Sequence, residues 1–270
     1  MPAITCPSGT LFFVDEGAGD PVLLLHAGGG SSAQWKDMIA LLRPHHRVLA
    51  LDFHGCGRTS PWTGGPKGLI AAEVELVRTL LDRLGDARAH LVGHSYGGWM
   101  GLHAALALRT RIASLALIEP VAVGMLRGRD DAACRDADSL SDAIVEDVER
   151  GNPEAGVERF VDYWNWRGCW KKMPPPFRNA MLALAEHICV MHLAGRGDTL
   201  SFDDVRDLSV PTLLLYGEIS PIPTRNLVRH LAVELPRARL RAIPAAGHMS
   251  PLSHPGLVAR ALMEHFAAPA

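Results

Sequence analysis

The sequence predicts an α/β fold with a mainly parallel central sheet flanked by helices, and three observations carry that prediction. Apolar runs such as VLLLH, LALIE and TLLLYG are continuous rather than alternating, as strands covered on both faces require. Segments of helical period alternate with these runs, which is the order that joins parallel strands through crossovers. A chain of 270 residues, 48% hydrophobic, has enough apolar material for one large core.

Strand-like runs fall at 10–15, 22–26, 47–52, 89–93, 112–118, 212–217 and 239–243, with helical patterns at 33–42, 68–84, 97–108, 224–234 and 255–266. One interval breaks the alternation. Between Glu119 and Thr212 the chain runs about 90 residues, far beyond the usual connection of about 2–6 residues. Within it, 139–150, 153–166 and 176–194 have helical patterns, the second opening at Asn152-Pro153 in the favoured cap-then-proline order. The expected organisation is a core of residues 1–120 and 209–270 with a helical cap over 121–208. Such a cap would sit above the carboxyl edge of the sheet, where open parallel sheets bind ligands.

Composition excludes several classes of function. With 27 Lys and Arg against 29 Asp and Glu, the chain has neither the basic footprint of a nucleic-acid binder nor an acidic tail. No apolar run reaches membrane-spanning length, so neither nucleic acid nor membrane is expected as a partner. The opening MPAITCPSGTLFF lacks the basic region and cleavage site of a secretory signal, and a cytoplasmic location is the expectation. Five scattered cysteines without a CxxC pair are expected to be reduced and mostly buried. The pattern carries no information on oligomeric state.

The chemistry concentrates at "HLVGHSYGGWMGLHAALA", residues 90–107, where Gly93-His94-Ser95-Tyr96-Gly97 stands between an apolar run and a helical pattern. A serine on such a tight turn projects its hydroxyl from the sheet, and small flanking residues relieve the crowding. The hydroxyl needs an adjacent base to attack at neutral pH. Of 13 histidines, His248 is favoured because "IPAAGHMSPLSHP" places it after the last strand, at the same sheet edge as Ser95. His254 directly precedes Pro255 and the final helix, a capping position. His26, His54 and His94 lie in motif loops and suit structural or pocket-lining roles, while His45, His46, His187 and His192 form no metal set at convincing spacing. Amide donors for an oxyanion are expected from Gly28, in "LLLHAGGGSSAQW", and from Tyr96, with Gly29 beside the substrate. The glycines of "LDFHGCGRTS" are expected in the pocket floor.

In this order, HAGG, DFHGCGRTS, GHSYGG, a helical insertion and AGHMSPLSHP resemble the α/β-hydrolase superfamily along essentially the whole chain. The resemblance implies the α/β-hydrolase fold, a helical cap inserted after the sixth core strand, a Ser-acid-His triad in that chain order, and no cofactor. One position departs from the pattern. Most relatives carry an Asp just beyond the strand that here reads TLLLYGEISPIPT, and Ser220 occupies that place. Glu119, ending LALIEP, is the favoured acid, and Glu218 is the alternative.

Ser95 argues against relatives that use an Asp nucleophile, because a serine cannot form their ester intermediate. The expected function is cleavage of a carboxylic ester or lactone through an acyl-enzyme on Ser95. The alternatives are carbon–carbon bond hydrolysis and a hydrolase-fold sensor of small molecules with little turnover. The cap stretch FVDYWNWRGCWKKMPPPF is rich in aromatics, so Trp164, Trp166 and Trp170, with Met191 and His192 on the next helix, are expected at a medium-sized, mainly apolar substrate, with an aromatic ring among the groups such a wall suits. The competing reading is that these rings fasten the cap to the sheet.

Overall fold

The computed structural model describes residues 2–268. Its strands are β1 (Ala3–Cys6), β2 (Gly9–Glu16), β3 (Pro21–Leu25), β4 (Arg47–Leu51), β5 (Ala89–His94), β6 (Ile112–Ile118), β7 (Thr212–Gly217) and β8 (Ala238–Ile243). They form one sheet in the order β1-β2-β4-β3-β5-β6-β7-β8. Pairing is antiparallel for β1 with β2 and β2 with β4, and parallel from β4 through β8. The continuous apolar runs lie in the middle of the sheet; all five residues of β3 are buried.

The two sides of each strand feed two different cores. Val22, Leu24, Val92, Ala116 and Ile118 point to one face, beneath α1 (Lys36–Leu42) and the final helix Pro255–Phe266. Leu23, Leu25, Leu91, Leu115 and Leu117 point to the other face, where they meet α2 (Pro66–Arg83) and α3 (Tyr96–Ala107). This period-two division explains why both alternate sets are apolar.

Between β6 and β7 lie α4 (Asp131–Glu149), α5 (Pro153–Trp164), α6 (Cys169–Lys172), α7 (Pro175–Leu182), α8 (Ala185–Arg196) and α9 (Phe202–Val205). After β7 come α10 (Ile222–Glu234), α11 (Ser250–Ser253) and α12 (Pro255–Phe266). Two sequence expectations change here. The helix expected at 139–150 begins at Asp131, because the Asp130 carboxylate accepts a hydrogen bond from the Ala133 amide and caps it. The single helix expected at 176–194 is two, broken after Leu182: α7 buries no residue, whereas α8 buries Ala185, Ile188, Cys189 and Met191. Strand β1 is an addition to the expected strands; it is a short edge strand with alternating exposure.

No helix among the described residues is long and apolar enough to cross a membrane. All five cysteines are unpaired, and four are buried. Residues 1, 269 and 270 of the expected core lie outside the described residues.

Candidate active site

Ser95 stands between the last residue of β5 and the first of α3, with φ 56° and ψ −115°. A non-glycine residue in this region stores about 1–3 kcal/mol of strain, so the surroundings must over-determine it. They do so with backbone bonds from Ser95 N to the Ile118 carbonyl at 2.9 Å and from Gly97 N to the His26 carbonyl at 3.0 Å. The flanking glycines are required by contact. A Cβ on Gly97 would collide with the Leu25 carbonyl oxygen, and one on Gly93 with the Gly97 carbonyl oxygen. Gly97→Ala is therefore expected to cost about 3 kcal/mol of stability or to abolish soluble expression, as measured by urea unfolding. An unchanged midpoint would show that the turn has slack.

The Ser95 hydroxyl donates to His248 Nε2 at 2.9 Å, and His248 Nδ1 donates to Glu119 Oε2 at 2.9 Å. Residues 153 and 129 positions apart in sequence are thus joined in one chain of hydrogen bonds. Glu119 follows β6 in a left-handed conformation, φ 47°, and is 0% exposed. Its other oxygen accepts from the Gly217 amide at 2.8 Å and the Ser220 hydroxyl at 2.7 Å, with the Thr224 hydroxyl 3.2 Å from Oε2. Burial acts to raise this carboxyl, but the bonds from His248, Ser220 and Gly217, together with the His248 charge, outweigh it and hold the group below its ordinary value. Ser220, at the place where the resemblance implies an Asp, thus supports the glutamate that reaches the histidine instead. Glu218 is exposed and points away, accepting from the Ala245 amide at 3.1 Å. Of the two glutamates, the structure brings only Glu119 to His248.

A second chain of bonds fixes the loops around this line. The Ala27 amide donates to Gln34 Oε1 at 3.0 Å, Gln34 Nε2 donates to His94 Nδ1 at 3.1 Å, and His94 Nε2 donates to the His248 carbonyl at 2.8 Å. His26 accepts from the Phe53 amide at 3.0 Å and donates to the Ala27 carbonyl at 2.7 Å. His54 is buried between Glu73, at 2.9 Å, and Ser8, at 2.9 Å. All three motif histidines tie loops together by hydrogen bonds, and none lines the cavity that opens on Ser95. His254 sits at the start of α12, hydrogen-bonded to its neighbour Ser253.

Gly28 and Tyr96 both line the cavity that opens on Ser95. Among the described residues, neither backbone amide makes a hydrogen bond, and Tyr96 begins α3, where helix amides and dipole favour an anion. The cavity opens to solvent, and most of its wall is apolar, as in sites that take a small organic molecule. Met191 and His192 line it. Trp164 lines it too and lies over the His248 ring, centroids 4.3 Å apart and planes inclined by 33°.

Three expected substrate contacts are corrected. Trp166 is 57% exposed, Trp170 is 2% exposed within the core, and neither lines the cavity. The Asp162 carboxylate accepts from the amides of Gly168 and Trp170 at 2.6 and 2.8 Å, which turns the Trp170 ring inward. Gly29 lies under the Met181 side chain and does not line the cavity. Residues 52–60 do not form the floor either; the Asp52 carboxylate braces that loop by accepting from the amides of Ser32 and Arg58. Sequence reasoning missed Phe160 and Trp99 as lining residues. Phe160 stands one helical turn before Trp164, a spacing that signals a shared face. Among the described residues, no group of three or more His, Cys, Asp or Glu is placed to hold a metal ion.

Residues 22–261 match the model of the alpha/beta hydrolase family. The chain belongs to that family. Among its hydrolase relatives, a protein of Azorhizobium caulinodans named "Putative carbamate hydrolase RutD" is 28% identical over 267 residues, covering 92% of this chain and 91% of that protein. A thermophilic esterase from Thermogutta terrifontis superposes with a TM-score of 0.79 at 27% identity, covering 97% of this chain and 96% of that one. An enol-lactonase from Burkholderia xenovorans LB400 superposes with a TM-score of 0.78 at 19% identity, over 99% of this chain and 100% of that one, a likeness of fold alone.

Proposed function

We propose that this family member is a serine hydrolase that cleaves a carboxylic ester or lactone whose acyl part is medium-sized and mainly apolar. The observation that carries the reading is the unbroken chain from the Ser95 hydroxyl through His248 to Glu119, opening on an apolar cavity. The relatives named as a carbamate hydrolase and an esterase support it, since both bonds join a carbonyl carbon to a heteroatom.

In this reading Ser95 attacks the carbonyl carbon while its proton passes to His248 Nε2. Negative charge develops on the carbonyl oxygen and is met by the amides of Gly28 and Tyr96. The imidazolium, held by Glu119, then gives its proton to the departing alkoxide, leaving an acyl-serine. Water attacks the acyl carbon, its proton goes to His248, and the acid leaves as Ser95 recovers its proton. Residues 121–208 act as a cap: Trp164, Phe160, Met191 and His192 form the wall against which the acyl chain packs. No cofactor enters any step.

The test is labelling with a fluorophosphonate probe together with turnover of a short p-nitrophenyl ester. The protein should be labelled and active, and Ser95→Ala should lose both. Absence of labelling in the unmodified protein, or labelling that persists in Ser95→Ala, would remove the hydrolase reading and favour a binding protein on the same fold.

A further inference from the structure

The cavity wall is apolar, yet it contains polar groups that the chain leaves without partners. Ser141 on α4 is 7% exposed, lines the cavity, and its hydroxyl has no hydrogen-bond partner. A helical serine ordinarily bonds back to the carbonyl four residues earlier, as Ser139 on the same helix does to Arg135 at 2.7 Å. Leaving such a hydroxyl unsatisfied is destabilising, and a ligand can relieve that.

His192 stands on α8, the helix packed against α4, and also lines the cavity. No described residue hydrogen-bonds to its ring; Phe160 meets it edge-on, 6.0 Å between centroids. Burial, with the charge of Arg196 as the lesser cause, pushes its pKa down to about 4, so at neutral pH the ring has one donor and one acceptor. The charged groups around the same cavity are already engaged. Arg127 pairs with Asp138, Arg196 with Asp142, and Asp198 accepts from Trp99, His103 and the Leu200 amide. What remains open is neutral, so the complementary ligand group is neutral as well.

We propose that Ser141 and His192 form a subsite for an uncharged hydrogen-bonding group, a ketone or hydroxyl oxygen, on the part of the substrate that fills the cavity away from the scissile bond. The substrate class is then an oxo- or hydroxy-substituted acyl ester or lactone rather than a plain alkyl one. This rests on the hydrolase reading for the position of the scissile bond, and on the two unpartnered side chains for the rest.

The test compares p-nitrophenyl hexanoate with isomers carrying a ketone or a hydroxyl at successive chain positions, taking the ratio of kcat/KM to that of the plain ester within each protein. At least one isomer should be favoured about tenfold or more, a difference equivalent to one charge-free hydrogen bond. The ratio should fall to near one in Ser141→Ala and in His192→Phe. A ratio near one for every isomer in the unmodified protein, or a preference that survives both substitutions, overturns the subsite.

A second readout does not depend on turnover. Binding of the free oxo- and hydroxy-acids to Ser95→Ala, followed through the fluorescence of Trp99 and Trp164, should be tighter than binding of hexanoate. That difference should vanish when Ser141→Ala is added. If the fluorophosphonate does not label the protein but this binding difference holds, the hydrolase reading falls and the subsite stands. Labelling without any binding difference removes the subsite and leaves the hydrolase reading intact.

Discussion

Glu119→Gln is expected to lower kcat about 10³–10⁴-fold on a p-nitrophenyl ester with little change in KM, while Glu218→Gln stays within about threefold of the unmodified enzyme. The size follows from which atoms the amide must present. Glu119 Oε1 accepts from two donors, the Gly217 amide and the Ser220 hydroxyl, so a glutamine places its carbonyl oxygen there and turns its NH₂ toward His248. Nδ1 must then accept, the proton moves to Nε2, and the imidazole presents the wrong tautomer to Ser95. Binding surfaces are untouched, so the loss falls on the chemical step. Glu218 has no such lever, being exposed and bonded to the Ala245 amide. A larger loss in Glu218→Gln than in Glu119→Gln would reverse the assignment.

The sheet, the serine turn and the histidine were legible because each is written locally. Continuous apolar runs mark buried strands, and glycines on both sides of Ser95 mark a turn whose backbone has no room for a Cβ. Glu119 could be read only as one of two candidates. Its bonds to Ser220 and Thr224 cross 101 and 105 residues, and such pairing leaves no periodic trace. Ser220, where the resemblance implies an Asp, is a support for Glu119, which is visible only once β6 and β7 lie side by side. The aromatic stretch misled for a different reason. Composition counts rings but gives no direction: α5 ends at Trp164, which stays on the cavity face, and beyond it Trp166 turns to solvent and Trp170 to the core. The break between α7 and α8 falls at Ala183-Leu184, where neither glycine nor proline marks a boundary, so the helical period ran on unbroken in the sequence.

Acidification from pH 6.5 to 4.5 is expected to remove roughly 5 kcal/mol of folding stability, a large share of the total for a domain of ordinary stability. Two fully buried imidazoles supply that much, and His90, His187 and His192, each lowered to about 4 chiefly by burial, act in the same direction. Burial is the main cause that pushes His26 from 6.5 to about 4 and His94 from 6.5 to about 3, where the neighbouring His248 adds to it. Each ring also uses both nitrogens in its neutral form. His26 accepts from Phe53 and donates to Ala27, while His94 accepts from Gln34 and donates to His248, so a second proton breaks a bond as well as burying a charge. Between the folded and unfolded values the unfolded chain binds the extra protons. Stability therefore falls as pH falls, by about 1.4 kcal/mol per pH unit for each ring. Glu119, held below its ordinary value, adds to the loss only at still lower pH, as it is protonated in the folded protein. Glu73 is raised by burial and works in the opposite direction, but it is one carboxyl against several imidazoles. Urea unfolding at a series of pH values checks the slope. His94→Gln keeps one donor and one acceptor without a titrating ring, so its slope should be shallower by about one proton. Stability that stays flat from pH 6.5 to 4.5, or a slope unchanged in His94→Gln, would mean that these rings are not locked neutral and that the bond chain from Ala27 through Gln34 to the His248 loop is not what holds the base in place.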